Sequence, residues 1–106
     1  MFRISEEQTY WWPVTVNFPA DGAFAKMTFK GQFKVIPVSD LQRIAGGSSL
    51  EIIREALIGW KDIVDESGEQ VPFSEAAREQ LLESPFAIAA LSRALTASVE
   101  GRREKN

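Results

Sequence analysis

One tryptophan and three lysines in the N-terminal half have the residue types and spacing for molecular recognition rather than catalysis. Lys26, Lys30 and Lys34 recur at every fourth position, which places neighbours about 13 Å apart on one side of an extended chain. Trp11 falls on the same side of the preceding strand in the pairing derived below. An exposed tryptophan beside lysines suits a protein interface or a base-stacking platform. The alternative is a solvated face that discourages aggregation, with Trp11 covered by a helix or by the N-terminal arm.

Other chemistry has few candidates in this chain. There is no cysteine and no histidine, which excludes a thiol nucleophile, thiolate metal sites and a classical catalytic triad. Acidic residues between positions 62 and 69 raise the question of calcium, but their spacing does not match an EF-hand loop. Gly46-Gly47-Ser48-Ser49 could cradle an anion, although a flexible linker with a capping serine explains it better. We therefore expect a protein that is not an enzyme, without catalytic residues, metal or cofactor.

Length and composition indicate one globular domain over residues 1–106. The chain is 44% hydrophobic and 25% charged, which is an ordinary balance for a folded domain. Its net charge of −3 argues against bulk electrostatic binding to nucleic acid. No apolar run approaches the roughly 18 residues needed to span a bilayer, and the N-terminus lacks the apolar region of a secretory signal. These features predict a cytoplasmic protein that does not bind membranes.

Two runs of alternating apolar and polar residues must position the tryptophan and the lysines. The even positions from Tyr10 to Phe18 are apolar, as are most odd positions from Ala25 to Val35. This period of two is typical of strands with one buried face. Asp21-Gly22 lies between the runs and favours a two-residue type I′ turn, because both central residues need a positive φ. We predict an antiparallel β-hairpin over residues 10–36.

The turn also predicts which residues face each other in the hairpin. With Asp21-Gly22 at its tip, Trp12 faces Gly31, and the apolar side chains of both strands share one face. Pro13 and Pro19 then lack N–H groups on the outer edge of the first strand, which predicts that this strand is a sheet edge near Pro13. The apolar face of residues 10–18 must be buried, and helices are its expected cover.

Residues 39–100 are predicted to be mainly helical, with a short turn region at 61–73. Capping boxes predict a short helix from Ser39, stopped by Gly46-Gly47, and a second helix from Ser48 to about Trp60. Trp60 closes an apolar stripe and is interpreted as a core anchor. The turn region contains a tight turn at 65–68, with short strands expected at 63–64 and 71–73.

Two more helices are predicted after this turn. Ser74 caps the first, which runs to about Glu83, and Ser84-Pro85 begins the second, which ends at Gly101. The last helix has one apolar stripe and several alanines that allow close approach of another element. The stripe consists of Ile88, Leu91, Leu95 and Val99. The charged tail at 101–106 is expected to fray.

A succession of motifs after Trp60 resembles a known family. Trp60 is followed by Lys-Asp-Ile-Val-Asp-Glu-Ser-Gly-Glu-Gln-Val-Pro-Phe-Ser, a leucine pair, Ser-Pro, an alanine-rich helix and a terminal Lys-Asn. Upstream, Phe29-Lys-Gly-Gln-Phe33 precedes Ser39-Asp-Leu-Gln. Through these motifs the chain resembles the tail assembly chaperones of long-tailed bacteriophages and related prophages. The resemblance implies a non-enzymatic protein that binds the tape-measure protein and assists assembly of the tail tube, with tube subunits as a second partner and homo-oligomers as an option.

The fold expected from these patterns is α+β: a long N-terminal antiparallel β-hairpin packed against three to four helices, which a short second hairpin at 61–73 could extend. Two surfaces are candidates for client binding: the hairpin face with Trp11, Lys26, Lys30 and Lys34, and the alanine-rich face of residues 87–97. One alternative is a small adaptor or virion-associated interaction protein. Another is a single-strand nucleic-acid binding module that uses Trp11 and the lysines, against which the acidic pI stands.

Overall fold

The computed structural model describes residues 8–45 and 49–101. Within them the chain forms an antiparallel sheet with strand order β1-β2-β3 and four helices, which confirms the predicted α+β class. The elements are β1 (Thr9–Ala20), β2 (Ala23–Lys34), α1 (Val38–Ala45), α2 (Ser49–Ala56), β3 (Leu57–Lys61), α3 (Glu75–Leu81) and α4 (Pro85–Glu100). The predicted stop at Gly46-Gly47, the predicted cap at Ser48 and the tail beyond Gly101 lie outside the described residues.

The hairpin has the predicted turn and the predicted register. Asp21 and Gly22 both have positive φ, at 51° and 80°, as a type I′ turn requires. Trp12 lies opposite Gly31, and the pairing continues without a shift from Ala20↔Ala23 to Thr9↔Lys34. The strand β1 is a sheet edge, as its prolines predicted. The carbonyl of Thr15 accepts a hydrogen bond from Arg93 Nη2 at 3.1 Å, so a side chain of α4 occupies part of that edge.

The predicted helix from Ser48 to Trp60 is wrong in its second half. The helix α2 ends at Ala56, and residues 57–61 form β3, which pairs with β2. Leu57 lies opposite Phe33 and Trp60 lies opposite Gly31, with Ile58 as an extra residue at a β-bulge. The bulge places Leu57 and Trp60 on the same face of the sheet although they are three positions apart. Residues three positions apart also share one face of a helix, so the sequence pattern looks helical. Gly59, a poor helix former, is tolerated in the strand.

Two smaller predictions are also corrected. The helix α1 begins at Val38, one residue before the predicted cap at Ser39. Instead of a second hairpin at 61–73, the described chain has a single bridge between Val64 and Gln70. The turn between them does use Gly68 in the left-handed region, at φ 85°. Two backbone hydrogen bonds flank this bridge, from Val71 N to the carbonyl of Ile63 at 2.8 Å and from Asp65 N to the carbonyl of Glu69 at 2.9 Å.

The core lies between the inner face of the sheet and α4. Val14 and Phe33 are fully buried, and α4 runs antiparallel to β1 with Tyr10 Oη and Ser98 Oγ 2.9 Å apart. Ser74 and Ser84 cap α3 and α4 as predicted, each accepting a hydrogen bond from a backbone N–H of the first turn. Trp60 is a core anchor, since it is 8% exposed and donates its indole N–H to the carbonyl of Val71 at 2.7 Å.

The buried face of α4 differs from the predicted stripe. Its buried residues are Ala87, Ala90, Leu91, Ala94 and Leu95. The alanine-rich face proposed for client binding is therefore largely occupied by the core, because small side chains let the helix approach the sheet. Val99, which was expected on the buried stripe, is exposed. Phe18, which was expected to be covered, is also exposed, because, of the described aromatic rings, only that of Phe86 at the start of α4 packs against it.

Gly31 is expected to be the least replaceable glycine of the sheet. A Cβ atom there would lie 2.7 Å from Cζ of the Phe33 ring and 3.4 Å from Leu57 Cδ1, and both side chains are fully buried. We expect Gly31→Ala to lower the free energy of unfolding by about 1–3 kcal/mol, the usual cost of overpacking, measured by urea denaturation.

Gly59→Ala is the matched control for this measurement. A Cβ atom at Gly59 would lie 2.7 Å from Oε1 of Gln32, the end of a flexible side chain on the other face of the sheet. That side chain can move, so the loss should be smaller than for Gly31→Ala. An equal or larger loss in Gly59→Ala would contradict the packing argument.

The ion pair between α2 and α3 predicts an acid-dependent part of the stability. Arg54 Nε lies 2.9 Å from each carboxylate oxygen of Glu79, and this hydrogen bonding lowers the pKa of the Glu79 carboxyl. The stabilisation is therefore present above the ordinary glutamate pKa of about 4.3 and is lost as the pH falls through the lowered folded value. We expect Glu79→Gln to lower Tm slightly at pH 7 and to leave it unchanged well below pH 4.

Glu83→Gln serves as the control for acid dependence, because the Glu83 carboxylate makes no ion pair among residues 8–45 and 49–101. Thermal unfolding followed by circular dichroism at pH 7 and in steps down to pH 2 separates the two variants. A Tm difference between Glu79→Gln and the wild type that persists unchanged at every pH would contradict the assignment.

Candidate functional site

The outward face of the sheet carries four residues that we call the lysine face: Trp11, Lys26, Lys30 and Lys61. They come from all three strands and point away from the face that packs on α4. Trp11 is 42% exposed, so no described helix covers it, which removes one of the two alternatives set out for this residue. The N-terminal arm, the other possible cover, lies outside the described residues. The predicted residues Trp11, Lys26 and Lys30 are thus brought onto one accessible surface.

Lys61 is the member that sequence reasoning missed. Its ammonium lies 4.3 Å from the centroid of the Trp11 ring, a cation–π contact. The contact crosses from β3 to β1, since Gly59 has no side chain and Gln32 bends over it. The sequence pattern predicts residue 61 in the turn region, and only its pairing with Lys30 on β2 places it on this face. No local pattern could have found it, because the strand pairing is not visible in the sequence.

The fourth predicted residue, Lys34, has a different environment. Its Nζ lies 3.3 Å from a carboxylate oxygen of Glu55 in α2, so its charge is partly compensated within the chain. In contrast, Lys26, Lys30 and Lys61 have no carboxylate oxygen within 4.0 Å among the described residues. The structure therefore separates Lys34 from the other lysines. Of the lysines predicted to bind a partner, it is the one whose charge is already engaged.

A second group of exposed side chains, the tip patch, is apolar and consists of Phe18, Phe24, Met27 and Phe86 at one end of the molecule. Phe18 and Met27 lie on the inner face of the hairpin, and Phe24, opposite Pro19, lies on the outer face. Phe24 is 70% and Met27 is 53% exposed. Phe18 and Phe86 pack edge to face with their ring centroids 5.2 Å apart, which joins the hairpin tip to the start of α4. Four large exposed apolar side chains at one end of the molecule exceed the scattered exposure that is normal for a surface. The tip patch was not predicted, because the alternating pattern indicated burial for Phe18 and Met27.

The turn after β3 forms a cleft of about 710 Å³ together with α3. Trp60 and Leu81 lie in its wall, and Asp65 and Glu66 lie in the turn beside it. The carboxylate of Asp65 accepts hydrogen bonds from Ser67 N, Ser67 Oγ and Glu69 N, and these bonds lower its pKa. All three bonds are accepted by Oδ1, so this oxygen holds the turn. In the described part of the chain, no acidic residues are grouped in a way that could hold a metal ion.

Comparison with known proteins gives no match from which a function could be taken. The chain matches no protein-family model, no curated protein and no solved structure. None of the described helices is long and apolar enough to cross a membrane. The lysine face and the tip patch are both suited to contact with another macromolecule, the first through charge and an indole ring, the second through apolar area.

The lysine face predicts an unusual response to a charge reversal. Lys30 and Lys61 lie directly opposite each other on β2 and β3, and like charges in that position destabilise a sheet. We expect Lys30→Glu to raise the free energy of unfolding by about 0.2–1 kcal/mol, since it creates an opposite-charge pair with Lys61. Lys26→Glu is the control, because Lys26 lies opposite Asn17 and beyond the reach of β3. Denaturation showing no gain for Lys30→Glu over Lys26→Glu would contradict the charge argument.

Proposed function

We propose that the chain is a non-enzymatic tail assembly chaperone of a long-tailed bacteriophage or prophage. In this proposal it binds the tape-measure protein in the host cytoplasm and assists assembly of the tail tube, with tube subunits as a further partner. The resemblance in residues 29–106 supplies the family. The observation that most supports a chaperone is the tip patch. A chaperone must offer accessible apolar surface to a client whose own apolar segments are still exposed to water.

The form of the tip patch suits a client without a single rigid shape. Met27 has an unbranched and polarizable side chain that adapts to irregular apolar partners. Phe24 is the most exposed of the four residues and stands at the end of a hairpin whose strands have twelve residues each, or about 40 Å. The molecule is accordingly elongated, with extents of 44 × 27 × 26 Å. A projecting apolar tip can contact a long segment without the helices obstructing it.

A small adaptor that binds a folded partner is the second candidate. The lysine face favours it, because cross-strand pairing holds its cations in a defined arrangement on a sheet rather than on a loop. The two candidates differ in which surface matters. A chaperone for an apolar client depends on the tip patch, whereas an adaptor depends on the lysine face.

Co-expression with the large neighbouring open reading frame of its genome tests the proposal. We expect that protein to remain in the soluble fraction and to elute with the wild-type chain. The double variant Phe24→Ser, Met27→Ser should release it into aggregates, because both side chains are more than half exposed and contribute little to the core. The amount of soluble client is measured after centrifugation.

Val38→Ser is the matched control, since Val38 is an apolar residue with 72% exposure on α1, outside the tip patch. It should keep the client soluble. Two results would overturn the proposal: a client that is equally soluble without the wild-type chain, or a tip-patch variant that protects the client as well as Val38→Ser does. If a variant of the lysine face fails to keep the client soluble while the tip-patch variant succeeds, the result would favour the adaptor.

A further inference from the structure

We infer that the lysine face binds an acidic peptide segment in extended conformation. The inference does not rest on the proposed chaperone function or on the tip patch, because it concerns a positively charged surface and not an apolar one. The expected partner carries carboxylate side chains, as charge complementarity and the geometry of the sheet indicate.

The first argument is that the lysine face concentrates positive charge on an acidic protein. The whole chain has a net charge of −3, yet the described outward face of the sheet carries four lysines and no carboxylate. Only Lys34 has an ion pair there, with Glu55 of α2. A positive area on a negative molecule orients an approaching acidic partner toward that area and away from the rest of the surface.

The second argument is that the sheet retains an unfavourable contact at this place. Lys30 and Lys61 are direct cross-strand neighbours, and no described carboxylate screens them from each other. The Lys61 ammonium is instead placed against the Trp11 ring at 4.3 Å. A carboxylate of a partner bound beside Lys30 and Lys61 would supply an opposite charge where two like charges face each other across the strands.

The third argument concerns spacing and explains why the segment is extended. Lys26 and Lys30 are four residues apart on one strand, which corresponds to about 13 Å. Side chains on one side of an extended peptide recur at about 6.6 Å, so every second one of them matches this distance. Trp11 flanks the lysines with a flat apolar surface on which the peptide backbone or an apolar side chain can lie.

The edge of the sheet nearest Trp11, which is formed by β1, is a poor site for a further strand. The outer edge of β1 lacks donors at Pro13 and Pro19, and Arg93 already binds the carbonyl of Thr15. A further strand therefore cannot pair along this edge. Binding through the lysine side chains of the outward face makes the affinity dependent on salt concentration.

Fluorescence anisotropy with the full chain tests this inference. The probe is a fluorescein-labelled twelve-residue peptide in which glutamate and threonine alternate, and its glutamine counterpart is the neutral control. We expect the acidic peptide to bind at low salt, to bind more weakly as salt increases, and to bind more tightly than the neutral peptide. The double variant Lys30→Gln, Lys61→Gln should weaken binding about five- to tenfold, the effect of losing two surface ion pairs.

Two single variants control for the loss of charge itself. Lys34→Gln removes a lysine that Glu55 already engages, and Arg43→Gln removes an exposed cation of α1. Each should change the affinity less than twofold. The double variant removes the contact of Lys61 with the exposed Trp11 ring but no buried side chain, so it is expected to fold, and thermal unfolding verifies this.

Three outcomes would overturn the inference. The first is an acidic peptide that does not bind at low salt or binds no better than its glutamine counterpart. The second is a loss of affinity in Arg43→Gln as large as in the double variant. The third is tighter binding of a twelve-nucleotide oligothymidylate than of the acidic peptide, which would assign the lysine face to a phosphate backbone stacked on Trp11.

Discussion

The two-residue turn at Asp21-Gly22 is the constraint on which the rest of the structure depends. Both residues adopt positive φ, and this turn geometry allows only one register for the two long strands. Side chains alternate with a period of two, so a shift by one residue would exchange the faces of the whole hairpin. The turn therefore decides that Val14 and Phe33 enter the core, and that Trp11 and Lys30 remain outside.

The same register creates the position at which the sheet is completed. Gly31 lies between Trp12 on β1 and Trp60 on β3, and the space that its missing side chain leaves is filled by the ring of Phe33. Because β2 is long and β3 has only five residues, the third strand covers the base of the hairpin and leaves the tip without a neighbour. The tip patch thus lies on the part of the hairpin that β3 does not reach.

The two candidate surfaces differ in chemistry because they have different structural origins. In the tip patch, Phe18 and Met27 continue the apolar face of the hairpin, whereas Phe24 lies on the outward face at the end of the same strands. The lysine face is the solvent side of the same sheet, where β3 adds a cation opposite Lys30.

Local patterns in the sequence determined the hairpin, its register, the edge position of β1 and the caps at Ser74 and Ser84, because each depends on residues close together in the chain. Trp11, Lys26 and Lys30 were placed on one face for the same reason. The tertiary structure alone decided that residues 57–61 form a strand, that Lys61 joins the lysine face and that Lys34 pairs with Glu55. In β3 the bulge gives Leu57 and Trp60 the spacing of a helix, and pairing with the open edge of β2 overrides it.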